Sequence, residues 1–294
     1  MNLPRLLLAI ALILPSLASA DENFLGYVRG AEPLPENVKE LYQIVTARTD
    51  KGKGTYSAFD SKTELEYGVT DRFSVAGAVL AQSVHVSGLI VDGYLPQDNS
   101  SGFKPSGFEG AMKYNFLSPV IDPVGFSVYY SLTYSWLDRH SGQYKDTTTQ
   151  EVEFLFQKYF FDAQLAWIGN LVTETTYAKR AHINGLDPNV EWPTIPEMEI
   201  GLKIGTGLSY RFIPSWFAGI ETVYETEYET EVGQERWTWF AGPSIHYASQ
   251  SWWTTLTYFP QIKGGGEKFE GQPDDFHLIE KTKQEVRLKV GFNF

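Results

Sequence analysis

The sequence predicts an all-β protein: a single up-and-down transmembrane antiparallel β-barrel of about twelve strands, with short periplasmic turns and longer extracellular loops. Three observations predict it. Apolar and polar residues alternate with a period of two in segment after segment, the connections alternate between short and long, and aromatic residues (15% of the chain) gather near strand ends. Period two places residues i and i+2 on one face of a strand, and it is the pattern expected where one face meets lipid and the other a polar lumen.

Residues 1–20, MNLPRLLLAIALILPSLASA, read as a signal peptide: Arg5 opens it, an apolar run follows, and Ala18-Ser19-Ala20 offers a small-residue cleavage site. The mature chain then starts at Asp21 and loses one base, so its net charge is 23 − 36 = −13. That acidity argues against a nucleic-acid partner. The chain has no cysteine, which excludes thiol catalysis, cysteine-ligated metals and disulfide stabilisation. No later stretch has 18 consecutive apolar residues, so no transmembrane helix is expected. Residues 21–37 are assigned to a periplasmic N-terminal segment and 38–294 to one barrel domain.

Along the barrel, the first strand falls near Leu41 to Arg48. It is followed by the polar connection 49–56, the turn "VTDRF" (69–73) and the long connection 88–105. "FEGAMKYNF" sets Phe108, Met112, Tyr114 and Phe116 against Glu109, Lys113 and Asn115, and the turn 118–125 follows. "FSVYYSLTYSW" (126–136) alternates cleanly, then 138–146 is long and 159–164 short. A seventh strand near Gln164 to Tyr177 alternates less well and leads to the long connection 180–196. "MEIGLKIGTGLSYRF" (198–212) alternates again before the short turn 212–216, the longer connection 231–235, the short turn 247–252 and the long connection 263–281. In the last segment, "EVRLKVGFNF", Val286, Leu288, Val290, Phe292 and Phe294 alternate with polar or small residues without exception. Pro243 cannot donate a ladder hydrogen bond, so a bulge is expected near it.

The aromatics Phe73, Phe116, Phe126, Trp136, Phe212, Trp216, Trp237, Trp239, Trp252 and Phe292 lie near strand ends, as interfacial girdles require. A soluble barrel with an apolar interior is the competing architecture. About eight strands suffice to enclose a filled core, so twelve would leave it oversized.

The terminal "VGFNF" resembles the aromatic-ended last strand by which bacterial outer-membrane proteins are recognised for assembly, which makes Phe294 the assembly signal. "YGVTDRFSV" resembles a periplasmic turn of such barrels. Across most of the mature chain, "GYVRGAEPLP", "YLPQDNSSG", "KYNFLSP", "TYAKRA", "EVGQERW" and "IEKTKQEVRLKVGFNF" resemble an uncharacterised family of proteobacterial outer-membrane β-barrels. The resemblance implies a place in the outer membrane, and it transfers no site residues. The implied partners are outer-membrane lipids and lipopolysaccharide, the barrel-assembly machinery acting on the C-terminal strand, and small solutes.

"ETVYETEYETE" supplies the candidate site. Glu221, Glu225, Glu227, Glu229 and Glu231 occupy odd positions of one strand, with Ile220, Tyr224 and Tyr228 on the other face. A solvated surface ladder is the bland reading of such a run. In a barrel whose even face meets lipid, the acids point inward. The turn near Pro214 brings Lys203 across from Glu225 and Glu227, and Glu199 across from Glu229 or Glu231. Arg236 is expected close to Glu229 and Glu231. Other strands add inward Glu64, Glu66, Lys113, Glu151, Glu153, Arg211, Arg287 and Lys289. Two bases facing an excess of carboxylates predict a passive porin-like channel with an acidic, cation-leaning lumen. The alternatives are a closed-lumen structural, receptor or adhesion barrel, and an outer-membrane hydrolase of lipase or protease type. For the hydrolase, His85 with Ser87, His140 with Ser141, and Asp274, Asp275 with His277 are the residues to consider, but none completes a catalytic constellation. No cofactor, metal site or enzymatic activity is expected.

Overall fold

A computed structural model describes residues 23–229, 233–272 and 275–294, and these described residues form twelve strands and no helix. They are β1 (Lys39–Thr49), β2 (Thr55–Thr70), β3 (Phe73–Ser87), β4 (Asn99–Leu117), β5 (Gly125–Leu137), β6 (Tyr144–Phe160), β7 (Leu165–Arg180), β8 (Glu197–Ile213), β9 (Trp216–Glu229), β10 (Gly233–Ala248), β11 (Trp252–Gly266) and β12 (Gln284–Asn293). Each pairs antiparallel with its sequence neighbours, and β1 pairs with β12 from Glu40↔Asn293 to Thr49↔Gln284, closing the barrel. Closure removes every sheet edge, which a bilayer demands because it offers no water to satisfy unpaired backbone groups.

The alternation fixes the faces as the sequence predicts. On β12, Val286, Leu288 and Phe292 are exposed on the outside while Glu285 and Lys289 are buried within. Exposed outward aromatics ring the short-turn end (Phe116, Phe160, Phe212, Trp216, Trp252, Phe292) and the long-loop end (Phe59, Tyr134, Tyr177, Tyr228). Phe294 is exposed on the outside and exchanges backbone hydrogen bonds with Lys39.

Three details depart from the sequence reading. Ten of the twelve strands run from 13 to 19 residues, longer than the ~9–11 that cross a bilayer, so most of the wall continues beyond the membrane, while β1 and β12 have 11 and 10. β10 begins at Gly233, so residues 233–235, read as part of a longer connection, belong to a strand. The pairing of β10 with β11 shifts between Trp239 and Phe240, a few residues before Pro243.

The departure with most consequence concerns residues 21–37. Expected to remain in the periplasm, the described part from Asn23 to Leu34 instead enters the barrel from the short-turn end and crosses its lumen. Leu25, Val28 and Ala31 are almost fully buried there. Twelve strands enclose more space than their own side chains fill. The N-terminal segment fills it.

Candidate functional site

The inward face of β9 organises the lumen. Glu221 and Glu227 are buried and Glu225 nearly so, while Ile220, Tyr224 and Tyr228 face out, as the alternation requires. Glu221 is not free to meet a passing ion. Its Oε1 accepts the Gly26 N–H at 2.7 Å, and its Oε2 accepts the Tyr27 and Val28 N–H groups at 2.7 and 3.0 Å. Thr257 adds a hydroxyl at 3.0 Å. Three consecutive backbone donors thus converge on one carboxylate, the charge-assisted arrangement that fixes anions at backbone nests.

Other inward side chains hold the rest of the segment. Asn170 accepts the Arg29 N–H (2.7 Å) and donates to the Arg29 carbonyl (2.8 Å), standing in for a neighbouring strand. The Arg29 guanidinium lies 3.9 Å from the Tyr129 ring centre and 3.3 Å from Glu153. Gln157 accepts the Ala31 N–H at 2.7 Å, and Asn115 and Ser127 donate to the Ala31 carbonyl. Lys113 donates to the Glu32 carbonyl at 2.6 Å. The polar backbone groups of a buried segment need such partners, and the wall supplies these from five strands, β4, β5, β6, β7 and β9.

Shape matches as well. Leu25 and Val28 pack with Phe24 against Ala166, Ile168, Phe217 and Val223. A Cβ on Gly207 would lie 2.4 Å from Leu25, and one on Gly219 would lie 2.7 Å from it, so these two glycines make the groove that receives the side chain.

The outer half is closed by loops. Arg236 meets Glu225 at 2.9 Å, Glu227 at 2.5 Å, and Glu280 from the loop between β11 and β12. Lys281 from the same loop reaches Glu225 at 2.5 Å. Lys51 donates to the carbonyls of Leu278, Ile279 and Lys281 at 3.1, 2.5 and 3.0 Å, anchoring that loop over the mouth. Burial among these groups pushes the Lys51 ammonium well below its ordinary pKa. Beneath the loop, Leu278, Ile279 and Phe269 pack with Val84, Val86, Leu89 and Leu95. His277 is buried there too, and burial takes its pKa from 6.5 to about 3, leaving the ring neutral at physiological pH.

Between the N-terminal segment and the loops lies a cavity of 240 Å³. It is lined by Tyr27 and Arg29 from the segment, Arg139 and Lys281 from the loops, and Glu151, Glu153, Lys203, Glu225, Glu285 and Arg287 from the wall.

The expected site residues are therefore only partly brought together. Lys203 is the register partner of Glu225, and Glu199 that of Glu229, as expected. Yet the Lys203 ammonium turns to Glu174 at 2.6 Å and Glu151 at 3.2 Å. Arg236 falls opposite Glu227 rather than beside Glu229, because the β9–β10 register shifts between Gln234 and Arg236. Glu197, Glu199 and Glu229 come within 4.8 Å of one another near the mouth, where Lys145 (2.7 Å) and Arg180 already bind Glu197. Glu231 lies outside the described residues.

The hydrolase candidates do not assemble. His85 and Ser87 face outward from β3, and Ser87 donates to Asp98 at 3.2 Å. The Ser141 hydroxyl donates to Asp138 at 2.6 Å within its own turn, and the flanking His140 carbonyl accepts from Tyr56. Asp274 lies outside the described residues, while Asp275 pairs with Lys268 at the surface and His277 is enclosed. His246 points inward and bonds Thr255 at 2.7 Å.

A closed twelve-stranded antiparallel barrel with a lipid-facing apolar belt and a charged interior defines an outer-membrane β-barrel protein. The chain belongs to the DUF6662 family, a family of unknown function whose model matches residues 17–294. No curated protein matches it in sequence. In fold it is similar to the COG4313 outer membrane channel from Pseudomonas putida F1, with TM-score 0.58 and 11% identity over 90% of this chain and 98% of that one. It is also similar to the β domain of the Bordetella autotransporter BrkA, with TM-score 0.55 and 9% identity over 88% of this chain and all (100%) of that one. At such identities the likeness concerns the fold.

Proposed function

We propose that the protein is a normally closed outer-membrane channel for small charged solutes, in which the N-terminal segment acts as a displaceable plug. One observation carries the reading: the lumen is lined by charge along its length, yet what blocks its inner half, below the outer loops, is a single non-strand segment held by side chains. The strands that form the wall are joined by continuous ladders. The segment is attached by individual hydrogen bonds, centred on Glu221, and it can leave without opening the sheet.

The cation preference expected from the glutamate ladder is confined to the outer mouth. Glu221, Glu225 and Glu227 are all engaged by donors or cations. What remains to attract cations is Glu199 and Glu229 at the outer mouth, beside a Glu197 already held by Lys145 and Arg180. Their influence reaches about a Debye length, ~8 Å at physiological salt. In this reading residues 1–20 direct export, and the last strand with Phe294 presents the barrel to the assembly machinery. The surrounding partners are outer-membrane lipid and lipopolysaccharide.

Conductance in planar bilayers tests it. The full-length protein is expected to stay closed most of the time, and a variant lacking residues 23–34 to conduct in steps. A folded deletion variant that never conducts would favour a closed-lumen receptor barrel, the reading to which the packed outer loops around Lys51 lend support.

A further inference from the structure

The cavity between plug and loops has a charge pattern that selects a ligand class. Most of its charged lining is already paired within the protein: Arg29 with Glu153, Lys203 with Glu151 and Glu174, Lys281 with Glu225, and Arg139 with Asp60. Two groups are not. Among the described residues Arg287 makes no ion pair. It donates to the Thr46 hydroxyl at 2.9 Å and the Gly26 carbonyl at 3.1 Å and lies 3.8 Å over the Tyr27 ring, which leaves part of its five-donor fork unused at the edge. Glu285 likewise makes no direct ion pair, its cross-strand neighbour Arg48 being committed to Asp60, and it accepts one neutral hydrogen bond, from the Tyr27 hydroxyl at 2.8 Å.

These two groups, one of each sign, lie two residues apart on the same face of β12, with Cα atoms about 7 Å apart at strand spacing. Beside them stands an aromatic wall. The Tyr27 and Phe259 rings stack at 4.1 Å, and Phe240 continues the stack 5.6 Å from Phe259. An unpaired acid, an unpaired base and an apolar face in one small cavity are the groups that fix orientation in a pocket otherwise suited to carbon.

The geometry points to a binding site for a compact zwitterion of the amino-acid type. Its carboxylate meets Arg287, its ammonium meets Glu285, and its side chain lies along Phe259 and Phe240. A simple anion would leave Glu285 unpaired beside it, and a simple cation would do the same to Arg287, so each is disfavoured by a buried uncompensated charge. At 240 Å³ the cavity sits below the roughly 300–1,000 Å³ of pockets that hold larger ligands, which keeps the solute small. The inference rests on the channel reading only in naming what would pass; the site exists whether or not the barrel conducts.

The test is equilibrium binding to the full-length mature protein in nanodiscs. Alanine, leucine and phenylalanine serve as probes, with 4-methylpentanoate and isopentylamine as the single-charge analogues of leucine. At least one amino acid is expected to bind, and both analogues to bind about tenfold or more weaker, the loss typical of leaving a charged partner unmade. R287Q should lose the amino acid and gain relative preference for isopentylamine, while E285Q should gain it for 4-methylpentanoate. If no amino acid binds, or if either analogue binds as well as leucine, the inference is overturned. The wild-type comparison decides even if a variant fails to fold. Conductance separates the two proposals: binding without any conductance from the plug-deleted barrel refutes the channel and leaves the site, and conductance without binding does the reverse.

Discussion

The Glu221 carboxylate, fixed in the barrel wall, accepts the backbone N–H of Gly26 at 2.7 Å, and the next two N–H groups of the N-terminal segment follow it. This places a charge-assisted bond cluster between wall and plug at the point where the segment crosses the lumen. Hydrogen bonds to charged groups contribute ~1.5–3 kcal/mol each, about twice a neutral one. Glu221→Gln keeps the side-chain shape and removes the charge. The amides of residues 26–28 are expected to exchange with deuterium about tenfold faster or more in this variant, with the strand amides of β9 little changed. Unchanged exchange at 26–28 would remove Glu221 from its anchoring role.

Gly207 tests the shape of the groove. A Cβ there would lie 2.4 Å from a Leu25 methyl and 2.9 Å from the Ile220 carbonyl. Gly207→Ala is expected to cost ~1–3 kcal/mol of plug retention, the usual penalty of overpacking. Adding Leu25→Ala should recover part of it. A double-mutant cycle on protease access to residues 23–34 reads the coupling, and additive effects would mean that the two positions do not meet.

Arg236 is the cation shared by Glu225, Glu227 and Glu280. Removing one partner of a buried ion pair typically costs ~3–5 kcal/mol, because the other charge is left uncompensated. Arg236→Gln should therefore free the β11–β12 loop, seen as faster cleavage within 267–283 by protease added to intact cells. Replacing Glu280 by Gln in the same chain should slow that cleavage again. Equal cleavage in all three forms would show that the ion cluster does not hold the loop.

The outer cap should loosen in acid. Burial holds His277 at about 3, far below its ordinary 6.5, and His140 is pushed down in the same direction by burial and by Lys51, Arg48, Lys145 and Arg139. Glu280, which faces His277 together with Arg236 and Lys281, is itself held below the usual carboxylate value. All three groups have depressed folded-state values, so the unfolded loop binds protons first as pH falls. Their contribution to stability is complete above about pH 6.5 and is lost downward from there, His277 until about 3. Loop cleavage measured from pH 7.5 to 4 is expected to rise on the acid side. In His277→Gln the rise should be smaller; an identical profile would mean that His277 does not titrate with loop opening.

Much of the fold could be read from the sequence, because period-two alternation in "EVRLKVGFNF" or "FSVYYSLTYSW" leaves only one face for lipid. The inward direction of the glutamates was legible for the same reason. Their partners were not. Glu221 is satisfied by amides 193–195 positions earlier in the chain, and no local pattern encodes a contact at that range. Arg236 was misplaced by a register shift, which alternation does not report. One signal of the plug was present: inward Gly201, Gly205 and Gly207 on β8 and Gly219 on β9 leave the wall without side chains on one side of the lumen, and something else had to occupy that space.

A reversible lock examines most directly whether the segment is the gate. An ideal Cβ on Gly205 lies 3.3 Å from a Val28 methyl, close enough for a cysteine at each position to bond, and the chain contains no other cysteine to interfere. Single-channel recording of the Val28→Cys, Gly205→Cys protein compares its oxidised and reduced forms in the same bilayer. The oxidised form is expected to stay closed at every voltage, with reduction restoring the opening frequency of the wild-type protein. An oxidised barrel that conducts as readily as the reduced one would show that solutes pass without the segment leaving.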